Sequence, residues 1–278
     1  MTLPELWHAD AELRLELHAA APGLHRYERH AHDEYSLIVL TCGSKLLRVG
    51  SEAHRVHAGQ IVVIPPGTSH DCEPWGPTDW GHRCLYASPA LAAQAAGEPR
   101  FAHDPPPLRA VIDAPDLAQA ILDWHRGAER ARASGQDATG LALIGEVLRR
   151  AATGRSGPAE GAGRAAQARL PHYLAALRRD LASKLDLDGL AALVGVTRFQ
   201  VIRDIKAVLH TTPGGLLRDL RLREAKRLLR ADVPISEVGA LTGFADQSHL
   251  TRAFRGAYAV TPGGYRPPQR SPSTSSMS

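Results

Sequence analysis

The stretch “ISEVGALTGFADQSHLTRAFRGAYAVTPGGYR” runs from Ile235 to Arg266. A short apolar-periodic segment ends at a glycine, a tight turn follows, and a longer segment ends on TPGG. The same plan stands upstream in “LDLDGLAALVGVTRFQVIRDIKAVLHTTPGG”, residues 185–215. Leu187, Leu190 and Leu193 match Ile235, Val238 and Leu241 as the expected inward face of the short helix. Gly195 and Gly243 fall where a helix C-terminus takes a left-handed residue, which costs glycine no Cβ clash. Thr197 is positioned to cap the next helix, with Gln200 completing a capping box. Asp246 is the matching cap in the second copy. In each TPGG the threonine caps and the proline takes the first helical position, where its missing N–H is no loss. The repeated unit is predicted to be helix–turn–helix.

Between the copies, “GLLRDLRLREAKRLLR” has apolar residues at 216, 217, 220, 225, 228 and 229 and reads as an amphipathic connecting helix. Two such units on one rod are able to enter successive major grooves, roughly 34 Å apart. The formal charge of +4 is unevenly spread, with 16 Lys/Arg against 9 Asp/Glu over residues 171–270. A basic rear and a slightly acidic front suggest a nucleic-acid or other polyanion partner for the rear half, and two helix–turn–helix units in tandem on that basic segment favour double-stranded DNA over a merely solvated basic face.

Residues 170–266 resemble the AraC/XylS family of transcriptional regulators, most specifically in “GFADQSHLTRAFR” and “TPGGYR”. The resemblance implies recognition helices at about 197–209 and 246–257. It directs Arg198, Gln200, Ile202 and Arg203 of the first, and Gln247, Ser248, Thr251 and Arg252 of the second, toward DNA. Arginine pairs with guanine O6 and N7, and glutamine with adenine N6 and N7. Phe199, Val201, Ile205, Leu250 and Phe254 are expected in the core. Three positions depart from the pattern. Ile202 stands where a polar base-reader is common, Asp204 suggests a structural pair with an arginine, and Ile205 replaces a phenylalanine.

Residues 12–86 read as strands broken by Gly, Pro and Ser. “RHAHDEYSLIVLTCGSKLLRV” and “GQIVVIPPGTSH” are similar to the two motifs of a cupin barrel. The resemblance makes the interior an effector pocket, with His30, His32, Tyr35, His70 and His82 as candidate contacts and Trp75, Trp80 and Tyr86 as weaker ones. His30, His32 and His70 are also a candidate set for zinc or iron, although the metal-binding glutamate of that pattern is missing, Glu34 coming too early. No cofactor is required for the regulator reading. The alternative is a metal-dependent cupin enzyme, or a metal sensor, fused to a helical DNA-binding module. The attached helical domain favours a sensor that is not an enzyme. Cys42, Cys72 and Cys84 are expected to be reduced thiols.

The expected fold class is α+β multidomain. A cupin-like β-barrel at 1–90 is followed by a helical packing or dimerisation region at 91–152 and a flexible linker at 153–169. An all-α double helix–turn–helix domain follows at 170–267, then a disordered tail at 268–278. The helical pair at 115–151 carries a stripe of Leu117, Ile121, Leu122, Trp124, Leu141, Ile144, Val147 and Leu148, suited to packing on the barrel or to a homodimer. No apolar run reaches membrane-spanning length and no signal segment is evident, so a cytoplasmic regulator is expected. Its further partners would be a small-molecule effector and, for an activator, RNA polymerase.

Overall fold

The computed structural model describes residues 5–10, 15–77, 79–131, 138–153 and 161–265. The expected tail at 268–278 and the first part of the expected linker lie outside them. The front half runs β1 (Glu5–Asp10), β2 (Leu15–Gly23), β3 (Tyr27–His30), β4 (Tyr35–Cys42), β5 (Ser44–Val49), β6 (Glu52–His57), β7 (Gln60–Ile64), β8 (His70–Pro74) and β9 (Trp80–Ala87). Then come α1 (Pro89–Ala96), α2 (Arg100–His103), β10 (Val111–Asp113), α3 (Pro115–Ala131) and α4 (Ala138–Ala151). The strands form two antiparallel sheets, ordered β1-β2-β9-β4-β7-β10 and β3-β8-β5-β6.

Strand alternation divides the core. On β4, Ile38 and Leu40 face the interior between the sheets, with Leu47, Val56, Val62, Cys72 and Trp80. Tyr35, Leu37 and Val39 face the other way, under the helices, with Leu117, Ile121, Ile144, Val147 and Leu148. The β4 strand is therefore buried on both sides, which explains its unbroken apolar run. The α3–α4 stripe is consumed by this packing. The barrel also extends past residue 90, because Val111 and Ile112 of β10 pair with Val62 and Ile61 of β7.

The rear half has α5 (Gly161–Arg179), α6 (Leu187–Val194), α7 (Arg198–Leu209), α8 (Pro213–Arg230), α9 (Ile235–Leu241), α10 (Gln247–Tyr258) and α11 (Pro262–Tyr265). The 153–169 linker expectation is corrected: its second half is the start of α5. Alanines and arginines there favour helix, Ala166 is buried, and Tyr173 and Leu177 are buried against the first unit. That packing also carries the helix through Pro171.

Three expected core residues are exposed: Leu193 at 52%, Leu241 at 57% and Phe199 at 63%. The buried pairs of the two short helices are Leu190–Ala191 and Val238–Gly239. At 3.6 residues per turn, Leu193 and Leu241 each lie about 110° from the middle of that pair, off the buried face. Phe199 lies roughly 160° around α7 from Val201. Val201, Ile205, Leu250 and Phe254 are buried as expected, and so are all six apolar residues expected of α8.

Candidate nucleic-acid interface and sensor cavity

Each long helix of the two units starts where its cap dictates. Thr197 accepts from the Gln200 N–H at 3.3 Å and Asp246 from the His249 N–H at 2.7 Å. Thr212 caps α8 through the Gly215 N–H at 3.0 Å, ahead of Pro213. Gly195 and Gly243 are left-handed, at φ 68° and 75°. The capping box at Gln200 does not form. Its side-chain amide instead donates to Asp204 at 2.7 Å and accepts from Arg203 at 2.7 Å. Asp204 is the better partner because it is buried and ionised: Arg169 binds it through two nitrogens, at 2.7 and 2.8 Å, and the Tyr173 hydroxyl donates at 2.9 Å. The Arg169 guanidinium holds the Asp204 carboxyl down at about 2.

Of the expected DNA-facing residues, Arg198, Arg203, Gln247, Ser248 and Arg252 are exposed, while Gln200, Ile202 and Thr251 are half-buried. Thr251 returns its hydroxyl to the Gln247 carbonyl at 2.8 Å. Arg198 lies over the Phe199 ring at 5.3 Å. Both helices thus present cationic tips to solvent.

The opposite side of the rear domain is docked on the barrel. Arg223, Lys226 and Arg230 share one side of α8, by their spacing of three and four, and Arg218 reaches the barrel from the turn before them. Arg218 meets Glu28 at 3.0 Å and the Arg29 carbonyl at 2.8 Å. Arg223 meets Asp33 at 2.9 Å. Lys226 sits 3.4 Å from both Glu16 and Glu34, and Arg230 contacts the same two carboxylates. Tyr265 donates to Glu16 at 2.7 Å. Burial opposes the Lys226 charge, but Glu34 and the flanking tyrosines outweigh it and raise its pKa. None of these acids carries a local sequence signal. The one available sign was the spacing of Arg223, Lys226 and Arg230 along one side of α8. Glu34, too early for a metal ligand, is spent here.

Beneath this junction is the histidine cluster. Register places His30 opposite His70 in the β3–β8 pair. The turn through Gly67, at φ 74°, donates its N–H to the His32 carbonyl at 2.8 Å and ties the two motifs together. His30, His32 and His70 each offer a ring nitrogen that lies within 4.8 Å of the other two. Burial, then the neighbouring imidazole, holds His30 and His32 well below the ordinary histidine range. Burial brings His70 down to about 4. The cavity wall continues through Tyr27, Lys45, Cys72, Trp80, His82 and Tyr86. Lys45, which sequence reading missed, is buried with its ammonium 4.8 Å over the Trp80 ring. Trp75 is 41% exposed, under the Arg55 guanidinium, and does not line this cavity.

Tyr35 is a correction. It does not reach this cavity: its strand position turns it under the helices, where its hydroxyl donates to the Phe101 carbonyl at 2.8 Å. The three thiols are free. Burial raises the Cys72 and Cys84 pKa values, Cys84 to about 12, which leaves them unreactive.

Two family models cover most of the chain: an AraC-like ligand binding domain over residues 12–144 and a helix-turn-helix domain over 190–267. The chain belongs to the AraC/XylS family of transcriptional regulators. It is a helix–turn–helix DNA-binding regulator with an N-terminal ligand-binding domain. It is 28% identical over 252 residues to the MmsAB operon regulatory protein of Pseudomonas aeruginosa, covering 87% of this chain and 78% of that one. It is 22% identical to the transcriptional regulator YbfI of Bacillus subtilis, covering 87% of each. Its fold is similar to apo ToxT from Vibrio cholerae, with a TM-score of 0.57 at 10% identity over 92% of this chain and 97% of that one. Another ToxT structure is described as bound to an unsaturated fatty acid. No helix among the described residues is long and apolar enough to cross a membrane.

Proposed function

We propose that this AraC-family regulator reads duplex DNA with α7 and α10 and is controlled from the barrel through the face of α8 and α10 that docks on it. One observation carries this reading. The α10 helix exposes Gln247 and Ser248 at its N-terminus and Arg252 along its length, and buries Tyr258 at its C-terminus against His30 and His32, at ring distances of 5.7 and 5.5 Å. A ligand that moves the cavity wall therefore acts on a reading helix directly. Such control needs different ligand affinity in two arrangements of the domains. That a protein of the same fold is described with a bound fatty acid supports a ligand for the fold. Arg203 and Arg252 are assigned to bases, Arg198 and Ser248 to phosphates or adaptable contacts, and Ile202 to a thymine methyl. Gln200, held by Asp204, positions Arg203 rather than reading alone. Homodimerisation, and contact with RNA polymerase for an activator, belong to surfaces other than the covered α3–α4 stripe. The regulator acts where its DNA lies, in the cytoplasm, and performs no catalysis.

The test is to recover and sequence the DNA fragments that the purified full-length protein retains. A single enriched motif with two half-sites one helical turn apart is expected, with affinity falling steeply as salt rises. Retention without sequence enrichment overturns the assignment of the two helices as readers.

A further inference from the structure

We propose that Asp219 is a proton switch in the seam between the two domains: it holds a proton while the DNA-binding domain is docked on the barrel and releases it when the domains part. The inference concerns the regulation of the docked face and rests on the reading of α8 and α10 as the route from barrel to DNA.

Asp219 lies on the docked side of α8, four residues before Arg223 and seven before Lys226. It is 3% exposed, and its Oδ1 is buried with no hydrogen-bond partner among the described residues. Three guanidinium groups stand near it, Arg29 from β3 and Arg218 and Arg223 from α8 itself. Each is committed elsewhere. Arg29 meets Asp71 at 2.9 Å and the carbonyls of Gly50 at 2.7 Å and His210 at 3.1 Å. Arg218 is held by Glu28 and the Arg29 carbonyl, and Arg223 by Asp33. From α10, Tyr258 faces it with a neutral hydroxyl. A buried carboxyl without an ion-pair partner is costly as an anion and far less so as an acid. Burial accordingly raises Asp219 from 3.8 to about 7, against the pull of Arg223, Arg218 and Arg29.

Separation supplies the missing partner. An aspartate and an arginine four residues apart on a helix form an ion pair. In the docked state Asp33 of the barrel draws Arg223 away, at 2.9 Å. Once Asp33 departs, Arg223 is free to return to Asp219, and water reaches the carboxylate. The docked arrangement therefore binds the proton more tightly than the open one. The stabilisation that this proton gives to docking is complete below about pH 4, is lost roughly tenfold per unit as pH rises to about 7, and changes no further above it.

The other titratable groups of the seam act with the opposite sign. Glu16, Glu28, Asp33 and Glu34 meet cations across it and favour docking as anions. His30 and His32, behind Tyr258, are held neutral by burial and take up protons when opening brings them to water. His210 adjoins Arg29, so a charge on its ring also favours opening. Acid acting on any of these opens the seam, whereas acid acting on Asp219 closes it.

The experiment uses the full-length protein. Infrared spectra of wild type should show the C=O band of a protonated carboxylic acid that fades as pH passes about 7, and Asp219→Asn should lack it. Opening by urea is then compared at about pH 6 and about pH 8, with small-angle scattering reading the parting of the domains and far-UV circular dichroism the helices. Between those values the opening constant of wild type should rise about tenfold relative to Asp219→Asn, whose amide stands in for the protonated acid. The same factor is read if parting and melting coincide. Asp33→Asn, which frees Arg223 for Asp219 in the docked state, should shrink it. Wild type without the fading band overturns the proposal and requires no variant to fold; it would mean that water bridges the carboxylate to the unpartnered Nε atoms of Arg218 and Arg223. An equal response to pH in wild type and Asp219→Asn overturns the switch, and a response of opposite sign gives the seam to its histidines and overturns it too. A factor indifferent to Asp33→Asn overturns the exchange of partners. DNA retention measured in parallel keeps the outcomes apart: sequence-specific binding by a protein whose Asp219 does not titrate sinks the switch and leaves the regulator reading standing.

Discussion

The two helix–turn–helix units share caps, glycines and TPGG exits, yet they are held by different forces. The first is fixed by a polar network, with Arg169, Tyr173, Gln200 and Arg203 gathered around the buried Asp204. The second is fixed by aromatic packing, Phe254 lying 4.7 Å from Tyr258 and 5.4 Å from Tyr265. The second is also the unit whose long helix packs on the barrel, with Gly256 close against Glu28. A duplicated motif has thus divided its work. The first copy meets the barrel at the end of its long helix, where the His210 carbonyl accepts from Arg29 at 3.1 Å, and the second lays the side of its long helix on the sensor.

The largest expected effect comes from removing what ties the second unit to the barrel. Lys226→Ala leaves Glu16 and Glu34 buried with only Arg230 as a shared cation, a loss of about 3–5 kcal/mol for a broken buried pair. The domains should separate, seen as a larger radius of gyration in small-angle scattering, while the first unit keeps its helices. An unchanged radius with unchanged stability would remove the lock from the comparison.

Acid should find the first unit next. Its Asp204 carboxyl is lowered from the usual 3.8 to about 2, so the folded state holds the ionised form more firmly than the unfolded chain does. The stabilisation is complete above pH 4 and is lost as pH falls toward 2. The shift corresponds to roughly 2 kcal/mol. The difference in unfolding free energy between wild type and Asp204→Asn should therefore shrink across that window. A difference that stays constant would mean the carboxylate charge does not hold this unit.

On DNA, Arg203→Ala and Arg252→Ala should each cost about 1–3 kcal/mol of specific binding if each reads a base. Competition with mutated sites decides between reading and positioning. Loss confined to one base pair marks a reader, and equal loss on every sequence marks a phosphate contact. Gln200→Ala should act through Arg203: paired with Arg203→Ala it adds little, as expected of a residue that only aims its neighbour.

The repeat, its caps and the core of α8 were legible in the sequence because local chemistry dictates them: a threonine before proline, a glycine after the last turn, leucines at helical spacing. The three barrel histidines were legible through their motif spacing. Tyr35 was misread because it neighbours the histidine motif in sequence, whereas strand parity turns it to the opposite face. The start of α5 was hidden by glycines and alanines that read as linker until tertiary packing buried Ala166 and Tyr173. The acids that meet α8 were illegible for a deeper reason. Glu16 and Lys226 are far apart in the chain, and nothing local to either predicts a buried partner.

The smallest effect tests where periodicity misled. Phe199 reads as core by type, yet it lies on the far side of α7 from Val201 and is 63% exposed. Its truncation removes no packed neighbour from the interior, so Phe199→Ala should alter unfolding free energy by no more than about 0.5 kcal/mol. Its one evident partner is the Arg198 guanidinium, 5.3 Å over the ring. A stacked arginine is held out from the helix in one orientation, and a contact of this exposed kind contributes about 0.5–1 kcal/mol. Phe199→Ala should therefore weaken DNA binding slightly, and not at all in an Arg198→Ala background. A large loss of stability would return Phe199 to the core and undo the difference drawn between the faces of the two reading helices.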